Sequence, residues 1–202
     1  MKKPLFRYTM SCTFFCLSAT LLGFVTAPPP AAASPQKAFD FQGSAGSEWS
    51  TSDTFAIDGN KILGLFNNVS KNYLRGTHLK IDKIPAKTPV TVSFDLYLVG
   101  SWDSGGQLGD RWTLSVEKGK TLVELTKFPC AYQDKKDTIP IGNNGIAVVN
   151  FRKLAYWVVK QTVVVPPDQI VNGAVNLSFR GFLTGRSTEF WGLDNVTVKI
   201  GE

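Results

Sequence analysis

The sequence predicts an all-β fold, an antiparallel β-sandwich or jelly roll, as a single domain behind an N-terminal signal peptide. Three observations predict it. The run PVTVSFDLYLVG (89–100) alternates apolar and polar side chains at period two, as a strand with one face on a core does. Short apolar runs recur along the chain, separated by clusters of Gly, Pro, Asn and Asp that punctuate strands. No stretch after residue 34 sustains the three- and four-residue apolar spacing of a helix.

The first residues set the compartment. Lys2, Lys3 and Arg7 precede an uncharged, largely apolar run, CTFFCLSATLLGFV (12–25), followed by TAPPPAAAS (26–34). A positive start, a short apolar stretch and small residues at Ala31 and Ala33 form an export signal of bacterial type, cut after Ala33. The apolar stretch falls short of the roughly 20 residues that span a bilayer. Neither Cys12 nor Cys16 follows the small-residue pattern of a lipid-anchored cysteine. The expected organisation is signal peptide 1–33, linker 34–37 and domain 38–202. The expected location is secreted or periplasmic, without membrane insertion once the signal is cut. No apolar tail follows at Gly201-Glu202, so no C-terminal anchor is expected.

Losing Lys2, Lys3 and Arg7 with no acid takes the net charge from +6 to +3. The remaining bases, such as Lys71, Arg75, Lys80, Lys83 and Lys87, are scattered among acids and apolar residues. That argues against nucleic acid as a partner. Only Cys130 remains of three cysteines, so no intramolecular disulfide is expected, and a chain of this length can hold one core unaided. With His78 the sole histidine, a Cys/His zinc site is excluded and most hydrolase mechanisms lose their base.

The elements follow in order. Residues 37–42 (KAFDFQ) read as an edge strand, and 43–53, rich in Ser, Gly and Thr around Trp49, as a loop. The apolar runs 54–57 and 62–66 flank Asp58-Gly59-Asn60, a hairpin signal because Gly accepts the positive φ of the primed turns. Residues 73–81 form a further strand, and Pro85 and Pro89 bracket a turn. In the long strand, Val90, Val92, Phe94, Leu96 and Leu98 take one face and Thr91, Ser93, Asp95, Tyr97 and Val99 the other. Trp112, Leu114 and Val116 continue the pattern after a Gly-rich loop, 100–110. Strands at 122–128 and 146–151 flank a polar surface loop, 129–145. The β-branched run 156–165 stops at Pro166-Pro167, which cannot continue a ladder. Residues 168–173 make a link of one helical turn. Strands at 174–182 and 188–200 close a set of nine to eleven. The sequons at Asn68, Asn176 and Asn195 are discounted, because the export signal is bacterial and the last two lie in strands.

The segments VTVSFDLYLVGSWD, GDRWTLSV and TEFWGLDNVTV, with FDFQGSAGSEWS at the start and ILGLFNN between, resemble a family of exported bacterial jelly-roll domains. These are LamG-like or galactose-binding-like in layout and accompany carbohydrate-active or surface proteins. The resemblance spans most of 38–200. It implies a carbohydrate-binding module with a structural calcium shared by the first and last strands. Asp194, in Gly192-Leu193-Asp194-Asn195-Val196, would be one ligand and Asp40 the other carboxylate. Gln42 stands where such modules carry Glu, a substitution that weakens a hard-cation site. Hydrogen bonding of Asp194 to backbone is the alternative.

Trp102, Asp103, Asp110 and Tyr97 are the candidate ligand-binding residues. Flat apolar faces beside hydrogen-bonding carboxylates suit sugars, which present CH faces and hydroxyls. Trp112 and Trp191 share the parity of core residues, whereas Trp49, Trp102 and Tyr97 are expected to be exposed. Equally, the loop's Asp and Gly residues can serve only its turns. Three functions compete. The first is a non-catalytic module, expected as a monomer, that binds a glycan or surface polymer. The second is a jelly-roll glycosidase using acids such as Asp95, although the close Glu-x-Asp-x-x-Glu cluster of laminarinase-like enzymes is missing. The third is a structural or adhesion domain with a protein partner.

Overall fold

Strand-forming runs join into two antiparallel sheets in the structure, a computed structural model that describes residues 36–104, 109–128 and 143–201. The export signal, Cys130 and the 129–142 stretch lie outside the described residues. Eleven strands occur in them: β1 (Gln36–Phe39), β2 (Thr54–Ile57), β3 (Asn60–Phe66), β4 (Gly76–Ile81), β5 (Val90–Gly100), β6 (Arg111–Val116), β7 (Thr121–Leu125), β8 (Gly145–Val149), β9 (Arg152–Val165), β10 (Val175–Phe182) and β11 (Glu189–Ile200). The one helical element among them is a 3₁₀ turn, Pro167–Gln169, in the expected link. β1 begins inside the stretch expected to be linker.

The larger sheet runs β2-β3-β11-β5-β9-β8, with β1 pairing the far half of β11; the smaller runs β4-β10-β6-β7. From β3 onward the chain passes back and forth between the sheets. β3-β11-β5-β9 and β4-β10-β6-β7 are thus the two four-stranded layers of a jelly roll, with β8 added as a hairpin on β9. The fold is the all-β sandwich that the alternating runs predict.

Between the sheets lies the main core. Val90, Val92, Phe94, Leu96 and Leu98 of β5 are buried in it, facing Trp112 and Leu114 of β6 and Leu177 and Phe179 of β10. The Trp191 ring sits 4.4 Å from Phe66 and 5.9 Å, edge-on, from Trp112. Burying one such ring stabilises by up to roughly 5 kcal/mol. Trp112 and Trp191 are core residues, as their parity requires.

Parity also breaks, and the breaks are informative. Trp191 and Leu193 point into the core, yet so do Val196 and Val198. An extra residue must intervene, and β11 carries a bulge between Asp194 and Thr197, with Asn195 at φ 49°. β3 breaks likewise: Leu63 and Phe66 share the core, and Gly64 between them adopts φ 129° opposite an irregularity in β11.

The outer face of the larger sheet differs from a solvated one. Tyr97 and Val99 of β5, Phe190 of β11, Ile62 of β3 and Leu154 and Tyr156 of β9 form a second buried cluster there. The sheet curls enough to cover it. Tyr156 of β9 donates to Asp58, in the β2–β3 turn at the opposite edge, at 2.7 Å, and Tyr73 donates to Asn150 at 3.2 Å. Thr91, Ser93 and Asp95, lower on the same face, are only half-buried.

Candidate functional site

Strand directions bring the β3–β4, β5–β6, β8–β9 and β10–β11 connections to one end of the sandwich. The Gly-rich loop after β5 opens there. Gly100, at φ 94°, lies so close to the next strand that a Cβ on it would sit 1.7 Å from the Thr188 carbonyl oxygen. That closeness lets Ser101 N–H donate to the same oxygen at 2.9 Å. Trp102 then turns inward. Its indole Nε1 donates to the Phe190 carbonyl at 2.9 Å, and its ring packs 4.7 Å from Phe128.

Trp102 is completely buried, Trp49 is 6% exposed and Tyr97 is 9% exposed, which overturns the expectation that all three face solvent. The chain leaving β5 crosses the mouth between the sheets, and a large ring at that point closes the core. Trp49, in the β1–β2 connection, packs among Phe39, Phe41 and Phe179.

Beyond Trp102, Asp103 is exposed and Asp110 fully buried. The two close the base of the loop: Asp103 N–H donates to Asp110 Oδ2 at 2.6 Å, and Asp110 N–H returns to Asp103 O at 3.0 Å. Asp110 Oδ1 accepts the backbone N–H of Thr184 at 2.9 Å and its hydroxyl at 3.3 Å. Glu189, 3% exposed, joins them. Its Oε2 accepts from Thr184 N–H at 3.1 Å and from Gly185 N–H, and its Oε1 from the Ser101 hydroxyl at 3.3 Å. Burial pushes the Glu189 carboxyl up to about 7, with the Asp110 and Asp103 charges adding and the Gly185 and Thr184 N–H groups opposing. Burial raises Asp110 as well. One oxygen from each of Asp103, Asp110 and Glu189 lies within 4.8 Å of the others, a set that can hold a metal ion.

Asn67 completes the end. Fully buried, it donates to the carbonyls of Gly185 (2.8 Å) and Glu189 (2.6 Å) and accepts from Val69 (2.8 Å) and Ser70 (2.7 Å) N–H groups. Asn68 Oδ1 takes the Leu183 N–H at 2.7 Å. Three loops are thereby joined through buried polar groups. Neither Glu189 nor Asn67 is a candidate from sequence, because the strand register that sets Glu189 opposite Gly100 is not written in local spacing.

Tyr97 belongs to a different place, on the outer face of the larger sheet. Its ring stacks on Tyr156 at 5.7 Å, and its hydroxyl accepts from Asn60 Nδ2 at 3.3 Å. The same Nδ2 donates to Asp194 Oδ2 at 2.7 Å. Burial, with the charge of Asp58, pushes the Tyr156 hydroxyl up to about 12. Asp194 is 2% exposed and its Oδ1 has no hydrogen-bond partner. Burial raises its carboxyl, the Asn60 side chain and the Asn195 backbone N–H oppose, and the Asp95 and Asp40 charges add to the rise. Asp40, exposed, accepts from Gln42 N–H at 3.1 Å, and Gln42 Nε2 donates to Asn60 Oδ1 at 2.7 Å. Asp40, Gln42, Asn60 and Asp194 thus form a connected line in which the two acids are separated by amide side chains. Asp95, the acid expected of a glycosidase, accepts from Asn195 Nδ2 at 2.9 Å.

No family model and no curated protein matches the chain. Among solved structures it is similar to the K1 cleaved adhesin domain of Lys-gingipain from Porphyromonas gingivalis W83, with 13% identity and TM-score 0.41, covering 82% of this chain and 98% of that one. It is also similar to CBM27-1 of Caldicellulosiruptor saccharolyticus, solved with mannohexaose, at 13% identity and TM-score 0.42 over 83% and 98% of the chains. The C-terminal CBM6 of the laminarinase LamC from Zobellia galactanivorans matches at 13% identity and TM-score 0.36 over 82% and 99%. Among the described residues, no helix is long and apolar enough to cross a membrane.

Proposed function

We propose that the chain is an exported, non-catalytic module that binds a glycan or other surface polymer through the loop end of the sandwich. One observation carries this reading. The acids at that end, Asp110 and Glu189, are buried with their oxygens committed to N–H and O–H donors of the β5–β6 and β10–β11 loops. Such carboxylates fix the shape of a surface in advance, which favours binding by lowering the ordering cost. Oxygens so committed are less available for the acid and base roles of a glycosidase pair. In this reading Asp103 faces the ligand, Asp110 and Trp102 hold it from beneath, and Tyr97 supports the neighbouring face. The chain acts as a monomer, in the periplasm or the medium.

The same reading gives Asp194 and Asp40 a structural calcium. The Asp194 Oδ1, which has no hydrogen-bond partner, supports that assignment; Asp40 meets Asp194 only through the Gln42 and Asn60 amides and not directly. Retention of the mature protein on a panel of insoluble polysaccharides, with reducing-sugar release measured in parallel, tests the function. Retention without release is expected. Release that vanishes in Asp95→Asn or Glu189→Gln would instead make the chain an enzyme.

A further inference from the structure

The β8–β9 connection is a two-residue hairpin, Asn150-Phe151, flanked by the Val149–Arg152 pair. Both central residues have positive φ, 49° and 65°, the signature of a type I′ turn. That turn prefers Asn-Gly, because only Gly enters the left-handed region without a clash at Cβ. Here a phenylalanine occupies the glycine position. Left-handed backbone is unfavourable for a bulky residue, and burial would be the ordinary compensation. Phe151 is 103% exposed, so it buries nothing within this fold. Neither turn chemistry nor core packing accounts for it.

Its neighbours in the chain are basic. Arg152 and Lys153 follow it, both exposed, and among the described residues neither forms a salt bridge. Lys153 pairs across the hairpin with Val148, itself 60% exposed. The tip is pinned to the body where Tyr73 donates to Asn150 Oδ1. Tyr73 also lines an open groove of about 370 Å³ with Phe55, Lys71 and Leu74, in which Asp53 is the one acid.

We propose that this tip is a contact point for an acidic polysaccharide. The Phe151 ring would lie on the CH face of a sugar, and Arg152 and Lys153 would take the uronate or sulfate groups beside it. An exposed aromatic face suits the apolar side of a pyranose, and a guanidinium fork suits a carboxylate or sulfate. The proposal rests on the glycan-binding reading and adds the charge class of the polymer. Charge complementarity selects an acidic chain over a neutral one.

The test uses two matched pairs of probes with the full mature protein: polygalacturonate against its methyl ester, and dextran sulfate against dextran. Retention on at least one acidic member, with about tenfold weaker retention on its neutral partner and loss at high salt, is expected. Phe151→Gly should weaken retention about fivefold while melting no lower than wild type, because Gly relieves the left-handed strain. Arg152→Glu with Lys153→Glu should abolish it. Equal binding of Phe151→Gly and wild type, or a lower melting temperature for Phe151→Gly, would overturn the proposal. Equal retention on charged and neutral partners would overturn it while leaving the glycan module standing. Retention on vesicles of anionic lipid but on no polysaccharide would overturn both.

Discussion

Asp110 and Glu189 share a donor: the backbone N–H of Thr184 points to Asp110 Oδ1 at 2.9 Å and to Glu189 Oε2 at 3.1 Å. Two carboxyls that converge on one N–H are held close together. Among the described residues neither acid has an ion pair. Their arrangement makes the loop end sensitive to proton concentration.

Stability should fall as pH rises. Glu189 titrates near 4.5 when unfolded and near 7 when folded, so the native state holds the proton more tightly across that window. The stabilisation is full below about pH 4.5 and is lost as pH climbs through about 7. Thermal melting should therefore give a midpoint several degrees higher at pH 5 than at pH 8, and Glu189→Gln should flatten the difference. A midpoint that rises over this interval in the wild type would contradict the account.

Trp102→Ala should cost about 3–5 kcal/mol of stability, the range for removing a large buried ring. Trp102→Phe should cost less, losing mainly the bond to the Phe190 carbonyl. Denaturant midpoints measure both. An alanine variant as stable as wild type but unable to bind polymer would make Trp102 a ligand face after all.

Gly100→Ala should be among the most damaging single substitutions. Its Cβ would collide with the Thr188 carbonyl, and the φ of 94° is strained for any L side chain. A loss of at least about 2 kcal/mol is expected. Wild-type stability in urea melts would show that the contact between β5 and the β10–β11 loop is not as close as described.

Calcium should raise the melting temperature, and a chelator should lower it, if Asp194 and Asp40 hold the ion. Asp194→Asn should then abolish the calcium response, whereas Asp110→Asn should leave it intact. The reverse pattern would move the ion to the Asp103, Asp110 and Glu189 set. A melting point indifferent to both calcium and chelator would remove the metal.

How much of this is legible in sequence depends on whether the information is local. The alternation of Val90 through Leu98 is local, and it places β5 correctly in the core. Trp112 and Trp191 follow from the same periodicity. The bulge at Asp194–Thr197 leaves a trace as two apolar sets out of phase, Trp191 and Leu193 against Val196 and Val198, though alternation alone reads as one strand. Trp102 is different: a loop has no period, so nothing local says whether its aromatic points in or out. Glu189 joins Asp110 only through the register of β11 on β5, which is a property of the whole sheet. Tyr97 lies on the face opposite the main core, as alternation requires. The curl that buries that face under Tyr156 and Phe190 comes from pairings across the sheet's breadth.

Binding of a polymer at a loop end shaped by the buried Asp110 and Glu189 is the function proposed above. Affinity electrophoresis of the mature protein and its Asp103→Ala variant through gels containing polysaccharides tests it most directly. Retarded migration of the wild type on at least one polymer, several-fold weaker retardation of the folded variant, and no liberated reducing sugar are expected. Unretarded migration of wild type on every polymer would contradict it.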